Sequence, residues 1–270
     1  MIDKILQNII ATEVNDTDVA ILLSGGVDSL SLAFAAHRAG KTVHAYTFHL
    51  NGDKSYDAYK AEETCKEFGW NCTTVVVPTN TLREDFIRLA QQYDCVKKTH
   101  FECTFPFLYI FPRIDQKYLL TGIAADGYYG LSKKAILHFK EPKEVFDDFR
   151  NKYFSQKNMA GLQQMEQLAD ENNIKLIYPY VHHSEVKDFF LQYDWYQLNK
   201  PKQKNIVRVA FQKEFDRIGK VKEHINLQLG ANIDHLFEIL LEDKMLNNRG
   251  RTRIMDLARD YGSQGSGVLF

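Results

Sequence analysis

Residues 24–29 bring together the groups that bind phosphate. The string Ser-Gly-Gly-Val-Asp-Ser follows an apolar run at 19–23 and precedes a helical pattern that begins at 30. A tight turn between a strand and a helix N-terminus directs backbone N–H groups and the positive end of the helix dipole at one point. Gly25 and Gly26 have no Cβ to block the approach of an anion. The string therefore predicts an anion-binding loop.

Three side chains make this prediction more specific. The hydroxyls of Ser24 and Ser29 can add hydrogen bonds to a bound phosphate, whereas the Asp28 carboxylate repels phosphate unless a cation lies between them. A second loop, 121–127, also follows an apolar run and contains a single acid, Asp126. Magnesium is commonly held by one or two carboxylates together with phosphate oxygens. We therefore expect Asp28 and Asp126 to share one Mg²⁺ beside a nucleoside triphosphate.

Strands that alternate with helices must position these loops. We predict helices at 2–12, 30–38, 56–68, 81–93 and 101–113, and strands at 19–23, 42–50, 72–77, 117–121 and 176–178. This alternation predicts an α/β fold with a doubly wound parallel sheet, in which ligands bind beyond the carboxyl ends of the strands. Residues after 184 have helical patterns. We expect a single domain over 1–270, with an α/β core at 1–180 and a C-terminal helical lobe at 181–270.

Composition excludes several classes of protein. With 270 residues, 44% hydrophobic and 26% charged, the chain has the composition of a globular protein with a substantial core. The net charge of −1 gives no general reason to expect nucleic acid as a partner. No apolar run is long enough to span a bilayer, and the first residues lack the pattern of a signal peptide. We expect a cytoplasmic enzyme without a membrane partner.

The four cysteines favour a reduced protein. None of them has the spacing of a zinc site, and we expect packed thiols. Cys103 is the candidate if the protein transfers sulfur. The tail at 247–253 is locally basic and predicts a solvated segment, with an RNA or DNA contact as the alternative.

The loop at 24–29 resembles the pyrophosphate loop of the N-type ATP pyrophosphatases, which split ATP between its α- and β-phosphates. Together with the second loop and the Lys-x-x-x-Arg pattern at 204–208, the chain resembles the synthetase domain of asparagine synthetase and β-lactam synthetase. The resemblance covers nearly the whole chain. It implies an adenine nucleotide α-hydrolase-like fold, ATP and Mg²⁺ as cofactors, and AMP-forming ligation of a small carboxylate to ammonia or an amine.

The resemblance also implies residue roles. Lys222 would be catalytic near the α-phosphate, Lys204 would be catalytic near the pyrophosphate, and Arg208 would support them. Taken alone, each of these residues is typical of a solvated surface. Adenine would lie against strand ends near Leu22, Phe48 and Gly122. The full predicted ATP-binding set is Leu22, Ser24, Gly25, Gly26, Asp28, Ser29, Phe48, Thr121, Gly122 and Arg208.

The second loop departs from the family pattern, Ser-Gly-Glu-Gly-Ala-Asp-Glu. Ile123 and Gly127 stand where the family has acids, and the first of those acids lies near the acceptor end of the site. Because Met1 is not a cysteine nucleophile and no glutaminase domain is expected, nitrogen would come from ammonia, a substrate amine or a separate subunit. Two alternatives stay open. One is an enzyme that adenylates a nucleobase carbonyl, as in tRNA modification, and the other is a non-catalytic nucleotide-binding subunit.

Overall fold

Five parallel strands form one sheet in the computed structural model, which describes residues 1–52, 54–131, 142–156, 159, 161–221 and 227–240. The strands lie in the order β3-β2-β1-β4-β5. Their bounds are β1 Asp18–Leu22, β2 Thr42–Leu50, β3 Asn71–Val77, β4 Tyr118–Leu120 and β5 Lys175–Ile177. The chain winds outward from β1 to β3, returns beside β1 as β4, and continues to β5. This arrangement confirms the predicted doubly wound α/β fold.

Helices cover both faces of the sheet, which explains why the strands are apolar throughout. Val19, Ala20 and Ile21 of β1 are fully buried, as expected for a parallel strand covered on both faces. Among the described residues, no helix combines the length and apolar character needed to cross a membrane. The α-helices are Ile2–Glu13, Val27–Arg38, Tyr56–Phe68, Leu82–Gln92, Lys98–Thr104, Phe107–Ile110, Asp126–Tyr129, Lys143–Phe154, Leu162–Glu171, Ser184–Leu191, Trp195–Asn199, Asn205–Ala210, Gln212–Ile218, Leu227–Gly230 and Ile233–Leu240.

The helices that follow the last strand contribute to the apolar clusters on both faces of the sheet. Val207 and Phe215 share a cluster with Phe34 of the helix after β1. Ile233 and Phe237 belong to the other cluster, where Phe237 packs against the rings of Phe86 and Phe105. The predicted division of the domain between residues 180 and 181 stays a prediction.

Most predicted elements occur close to their expected bounds, with one clear error. The predicted helix at 101–113 is instead divided into Lys98–Thr104, Phe107–Ile110 and a 3₁₀ turn at Phe111–Arg113. Pro106 lies at the break, where it has no N–H to donate to a helical hydrogen bond. The helix after β1 begins at Val27, three residues earlier than predicted, so Asp28 and Ser29 lie in its first turn.

Candidate active site

The two predicted loops meet at one edge of the sheet. Strands β1 and β4 are neighbours, with Ala20 opposite Leu119 and Ile21 opposite Leu120, so the loops that follow them leave the sheet side by side. A Cβ built on Gly122 would lie 3.1 Å from the Cβ of Asp28, which shows how closely the loops approach. The direction of winding reverses between these strands, and such a switch point is the usual ligand site of an open α/β sheet.

The phosphate-loop candidate, residues 24–29, is closed by its own serines. The Ser24 N–H donates to Ser29 Oγ (3.2 Å), and the Gly26 N–H donates to Ser24 Oγ (3.4 Å). The two hydroxyl oxygens lie 3.1 Å apart. Gly25 has a φ of +68°, in the left-handed region that favours glycine. The loop is therefore an ordered turn that leads into the helix N-terminus, with both serine hydroxyls on it.

Lys204 joins the two predicted metal-binding carboxylates. Its Nζ donates to Asp28 Oδ2 at 2.5 Å and to Asp126 Oδ1 at 2.6 Å. The Lys204 side chain is 5% exposed, whereas those of Asp28 and Asp126 are 13% and 41% exposed. An ammonium group between two carboxylates in a shielded site interacts with them more strongly than a surface ion pair does. The structure therefore brings together three predicted site residues from distant parts of the chain.

Neighbouring groups hold Lys204 in place. Its φ of +58° is in the left-handed region, which is uncommon for a residue other than glycine, asparagine or aspartate. The Lys204 N–H donates to Asn199 Oδ1 (3.2 Å), while Asn199 Nδ2 donates to the carbonyl of Tyr129 (2.9 Å). The Lys204 Nζ also lies 5.2 Å from the centre of the Tyr129 ring, within the range of a cation–π contact. The backbone of Lys204 is thus fixed, and its ammonium faces the loops.

The electrostatics of this cluster depend on burial and on mutual contact. The pKa of Asp28 is raised to about 7: burial raises it most, the Lys204 ammonium opposes that rise, and the Asp126 carboxylate adds to it. For Lys204, burial lowers the pKa, but the two carboxylates outweigh burial and hold the pKa above its usual value. The lysine is therefore positively charged at neutral pH.

The donor set fits a magnesium ion that is shared with phosphate. Asp28 and Asp126 supply oxygen ligands, the type that Mg²⁺ prefers. The buried Asp28 Oδ1 has no hydrogen-bond partner among the described residues. No group of three or more His, Cys, Asp or Glu residues that could hold a metal was found in the described parts of the chain. Two carboxylates alone leave coordination positions for water and phosphate oxygens, as magnesium sites in nucleotide enzymes do.

An apolar slot opens beside the phosphate-loop candidate. Leu22 and Phe48, predicted to contact adenine, both line it, and Ser24 lies at its loop end. Gly122, the third predicted adenine neighbour, lies between the two loops against Asp28 and Ser29. The complete lining is Leu22, Leu23, Ser24, Tyr46, Thr47, Phe48, Ser55, Asp57, Phe107, Ile110, Leu227 and Ala231. A planar, mostly apolar base suits such a slot.

The remaining predicted residues have different placements. Thr121 is buried, and its N–H donates to the carbonyl of Ile177, which extends the sheet ladder. Arg208 Nε donates to the carbonyl of Gln203, and its guanidinium lies over the Phe215 ring. Lys222 lies outside the described residues, as does the basic tail at 247–253. The roles of these residues stay predictions.

Sequence reasoning did not identify Lys60 as a neighbour of the loop. A Cβ on Gly25 would lie 2.7 Å from the Cβ of Lys60, so the lysine stem packs against the loop. The buried Lys60 Nζ donates to the carbonyl of Ile218 (2.5 Å) and to Glu63 Oε2 (2.7 Å). The contact joins residues 158 positions apart, and no local pattern indicates it. Lys60 therefore connects the helix Tyr56–Phe68, which packs against the loop, to the end of the helix Gln212–Ile218.

The second loop has two further features that bear on its unusual sequence. Ala124 has a φ of +62°, and it occupies the position where the family string has glycine. A Cβ on Gly127 would collide with the Tyr153 ring and would lie 3.1 Å from Phe154 Cζ. Tyr153 and Phe154 therefore fill the space that a side chain at position 127 would need.

Cys103 has the properties of a packed thiol. Burial, together with a smaller contribution from the neighbouring Glu102 carboxylate, raises its pKa to about 12. Because the thiolate is the reactive form, such a cysteine is a poor nucleophile near neutral pH. This disfavours sulfur transfer through Cys103.

Comparison with known proteins gives one family. The family model described as asparagine synthase matches residues 2–173, which is more than half of the chain. No curated protein matches the chain in sequence.

Several solved structures are similar to the chain at low identity. An NMN synthetase from Francisella tularensis is 13% identical, with a TM-score of 0.42 over 99% of this chain and 95% of that one. A U34-tRNA thiolase from Methanococcus maripaludis is 13% identical, with a TM-score of 0.39 over 99% and 80%. An NH₃-dependent NAD synthetase from Campylobacter jejuni is 15% identical, with a TM-score of 0.34 over 83% and 96%.

Proposed function

Because this chain belongs to the asparagine synthase family, we propose that it is an ATP-dependent, AMP-forming carbon–nitrogen ligase. In the proposed reaction, a carboxylate oxygen of a small substrate attacks the α-phosphorus of ATP, and the bond to the bridging β-phosphate oxygen breaks to release pyrophosphate. The nitrogen of ammonia or an amine then attacks the acyl carbon of the adenylate. AMP leaves, and the nitrogen loses a proton to give the amide.

The contact of Lys204 with Asp28 and Asp126 is the observation that carries this proposal. It places one buried cation and two carboxylates at the switch point between β1 and β4. Adenylation builds negative charge on the phosphoryl oxygens and on the departing pyrophosphate. A buried ammonium group and a carboxylate pair suited to magnesium both serve such a reaction. The cluster therefore favours phosphate chemistry over simple base recognition.

Each group at the site has a defined role in the proposed reaction. Ser24 and Ser29 donate hydrogen bonds to the pyrophosphate portion of ATP, and the apolar slot lined by Leu22 and Phe48 holds the base. Asp28 and Asp126 would hold Mg²⁺, which neutralises charge on phosphate oxygens when bound. Lys204 stabilises the developing charge on pyrophosphate. The catalytic role of Lys222 near the α-phosphate rests on the family resemblance.

The partners in this proposal are small molecules. ATP and a carboxylate bind at the described edge of the sheet, and nitrogen is supplied as free ammonia, as a substrate amine or by a separate subunit. The proposed compartment is the cytoplasm.

Pyrophosphate exchange tests the proposal directly. Labelled pyrophosphate should enter ATP only when the carboxylate substrate is present, so the assay is run across a panel of amino acids and other small carboxylates. The Asp28→Asn variant should lose at least about a hundredfold in exchange, because it removes a charged metal ligand beside the phosphates. Asp18→Asn is the matched control, since Asp18 is exposed at the opposite end of β1. It should exchange at the wild-type rate.

Two results would refute the proposed ligase activity and indicate a different function. Exchange that depends on added tRNA or DNA, and not on any carboxylate, would indicate adenylation of a nucleobase. Binding of ATP without exchange or AMP release, across both panels, would indicate a non-catalytic nucleotide-binding protein.

A further inference from the structure

Lys204 makes the contacts that a metal ion would make. Its ammonium lies within 2.5 Å of Asp28 Oδ2 and 2.6 Å of Asp126 Oδ1, so one positive charge already bridges the two carboxylates. A divalent cation that binds both carboxylates needs the same oxygens. The lysine and the metal cannot both contact these oxygens at full strength.

We propose that Lys204 competes with the divalent cation for Asp28 and Asp126. When a nucleotide binds, the lysine ammonium moves to its phosphates, and both carboxylates become available to the metal. This inference rests on the proposed function, because it takes the two carboxylates to be the metal ligands for ATP. It goes beyond that function by making metal and nucleotide binding depend on each other through one side chain.

The surroundings of Lys204 allow its ammonium to change partners while its backbone stays in place. The N–H is held by Asn199 Oδ1, and Asn199 is in turn held by the carbonyl of Tyr129. The four-carbon lysine stem is flexible, and its three N–H donors have no fixed plane. The ammonium also lies beside the first loop, because it donates to Asp28, which belongs to that loop. A phosphate bound to the loop is therefore an alternative partner within reach.

The charges favour this exchange of partners. Without the lysine, Asp28 and Asp126 would be two carboxylates close together in a shielded site, which is unfavourable. The ammonium relieves that repulsion, and so would a divalent cation. ATP adds several negative charges next to the loop, and the ammonium can then bind phosphate while the divalent cation binds the carboxylates. A metal without nucleotide must instead displace the lysine with no compensating partner for it.

The test is metal binding in the absence of any nucleotide or substrate. Free Mn²⁺, the probe for the magnesium site, is measured by electron paramagnetic resonance during titration of the protein. The Lys204→Gln variant keeps an amide donor but loses the charge, so it should bind Mn²⁺ at least tenfold more tightly than the wild type. Lys202→Gln is the matched control, because Lys202 is exposed two residues away and the charge change is the same. It should bind Mn²⁺ within twofold of the wild type.

A second substitution identifies the ligands. Adding Asp28→Asn to Lys204→Gln should remove the gain in Mn²⁺ affinity. Circular dichroism establishes that each variant is folded, and Lys204→Met, which retains much of the lysine stem, is the second variant if Lys204→Gln does not fold.

The proposed competition would be refuted if folded Lys204 variants bound Mn²⁺ no more tightly than Lys202→Gln does. Because no ATP or substrate is present, this result is independent of pyrophosphate exchange. Failure of the exchange assay, conversely, would leave the Mn²⁺ result unchanged, so the two proposals can fail separately.

Discussion

Replacing Gly25 by alanine tests whether the phosphate-loop candidate depends on the conformation and packing seen in the structure. Gly25 has a φ of +68°, where an L-residue loses about 1–2 kcal/mol relative to its preferred conformations. The new Cβ would also lie 2.7 Å from Lys60 Cβ and 2.9 Å from Lys60 Cγ. These atoms are close to the helix backbone and cannot move away easily, so overpacking adds about 1–3 kcal/mol. The free energy of unfolding should fall by about 2–5 kcal/mol.

Alanine substitutions at two other glycines distinguish the conformational cost from the overpacking cost. Gly40 has a φ of +77° with nothing within 4 Å of a built Cβ, so Gly40→Ala should cost only the conformational part, about 1–2 kcal/mol. Gly26 has a φ of −80°, and its built Cβ would lie 3.3 Å from Ser24 Oγ. Gly26→Ala should therefore cost less than about 1 kcal/mol. The expected order of destabilisation is Gly25, then Gly40, then Gly26.

Urea unfolding measures the free energy of each variant, and equilibrium binding of MgATP measures the loop. Gly25→Ala should weaken MgATP binding at least tenfold because Lys60 and the loop must move apart, whereas Gly40→Ala should bind it as the wild type does. If Gly25→Ala were no more destabilising than Gly40→Ala, the packing of Lys60 against the loop would be refuted. Normal MgATP binding by Gly25→Ala would contradict the assignment of the loop to phosphate.

Three further predictions concern the slot, the thiol and the second loop. Ala231→Phe fills the apolar slot and should weaken ATP binding at least tenfold, whereas Leu229→Phe, at a residue that is 60% exposed, should leave it unchanged in the same titration. With a pKa of about 12, Cys103 is thiolate in only about one molecule in ten thousand at pH 8, so iodoacetamide should label it far more slowly than free cysteine, as followed by mass spectrometry. Ala124→Gly relieves a φ of +62° but adds chain entropy to the unfolded state, so the urea-unfolding free energy should change by no more than about 1 kcal/mol; a larger loss would contradict the strain at Ala124.

Local patterns were sufficient to predict most of the fold. The buried run of β1 and the turn after it follow from apolar sequence and glycine, and Gly69 ends its helix with a φ of +69°, as expected for a C-cap. The pairing of Asp28 with Asp126 was expected because both follow strands of one parallel sheet. These signals depend only on nearby residues and on the general geometry of such sheets.

The remaining features depend on contacts between distant residues. Lys204 lies 176 positions from Asp28; the family resemblance assigned it to the site, but its own segment does not indicate that it contacts both carboxylates. Leu227 and Ala231 reach the slot only because the C-terminal helices pack back onto the core. The break near Pro106 was missed because the aromatic run around it is uniformly apolar, so its periodicity does not reveal where the helix stops. Tertiary packing decides each of these features.

The contact between Gly127 and Tyr153 restricts the order in which this lineage could have changed its loop. With this backbone and with the Tyr153 ring where it lies, an acid at position 127 would need the space that the ring occupies. An ancestor with the acid could have gained the tyrosine only after, or together with, the loss of that acid. A return to the acid would likewise require a smaller residue at position 153 first. The two positions should therefore vary together among homologues, and a natural chain that keeps this backbone should not carry both an acid at position 127 and a tyrosine at position 153.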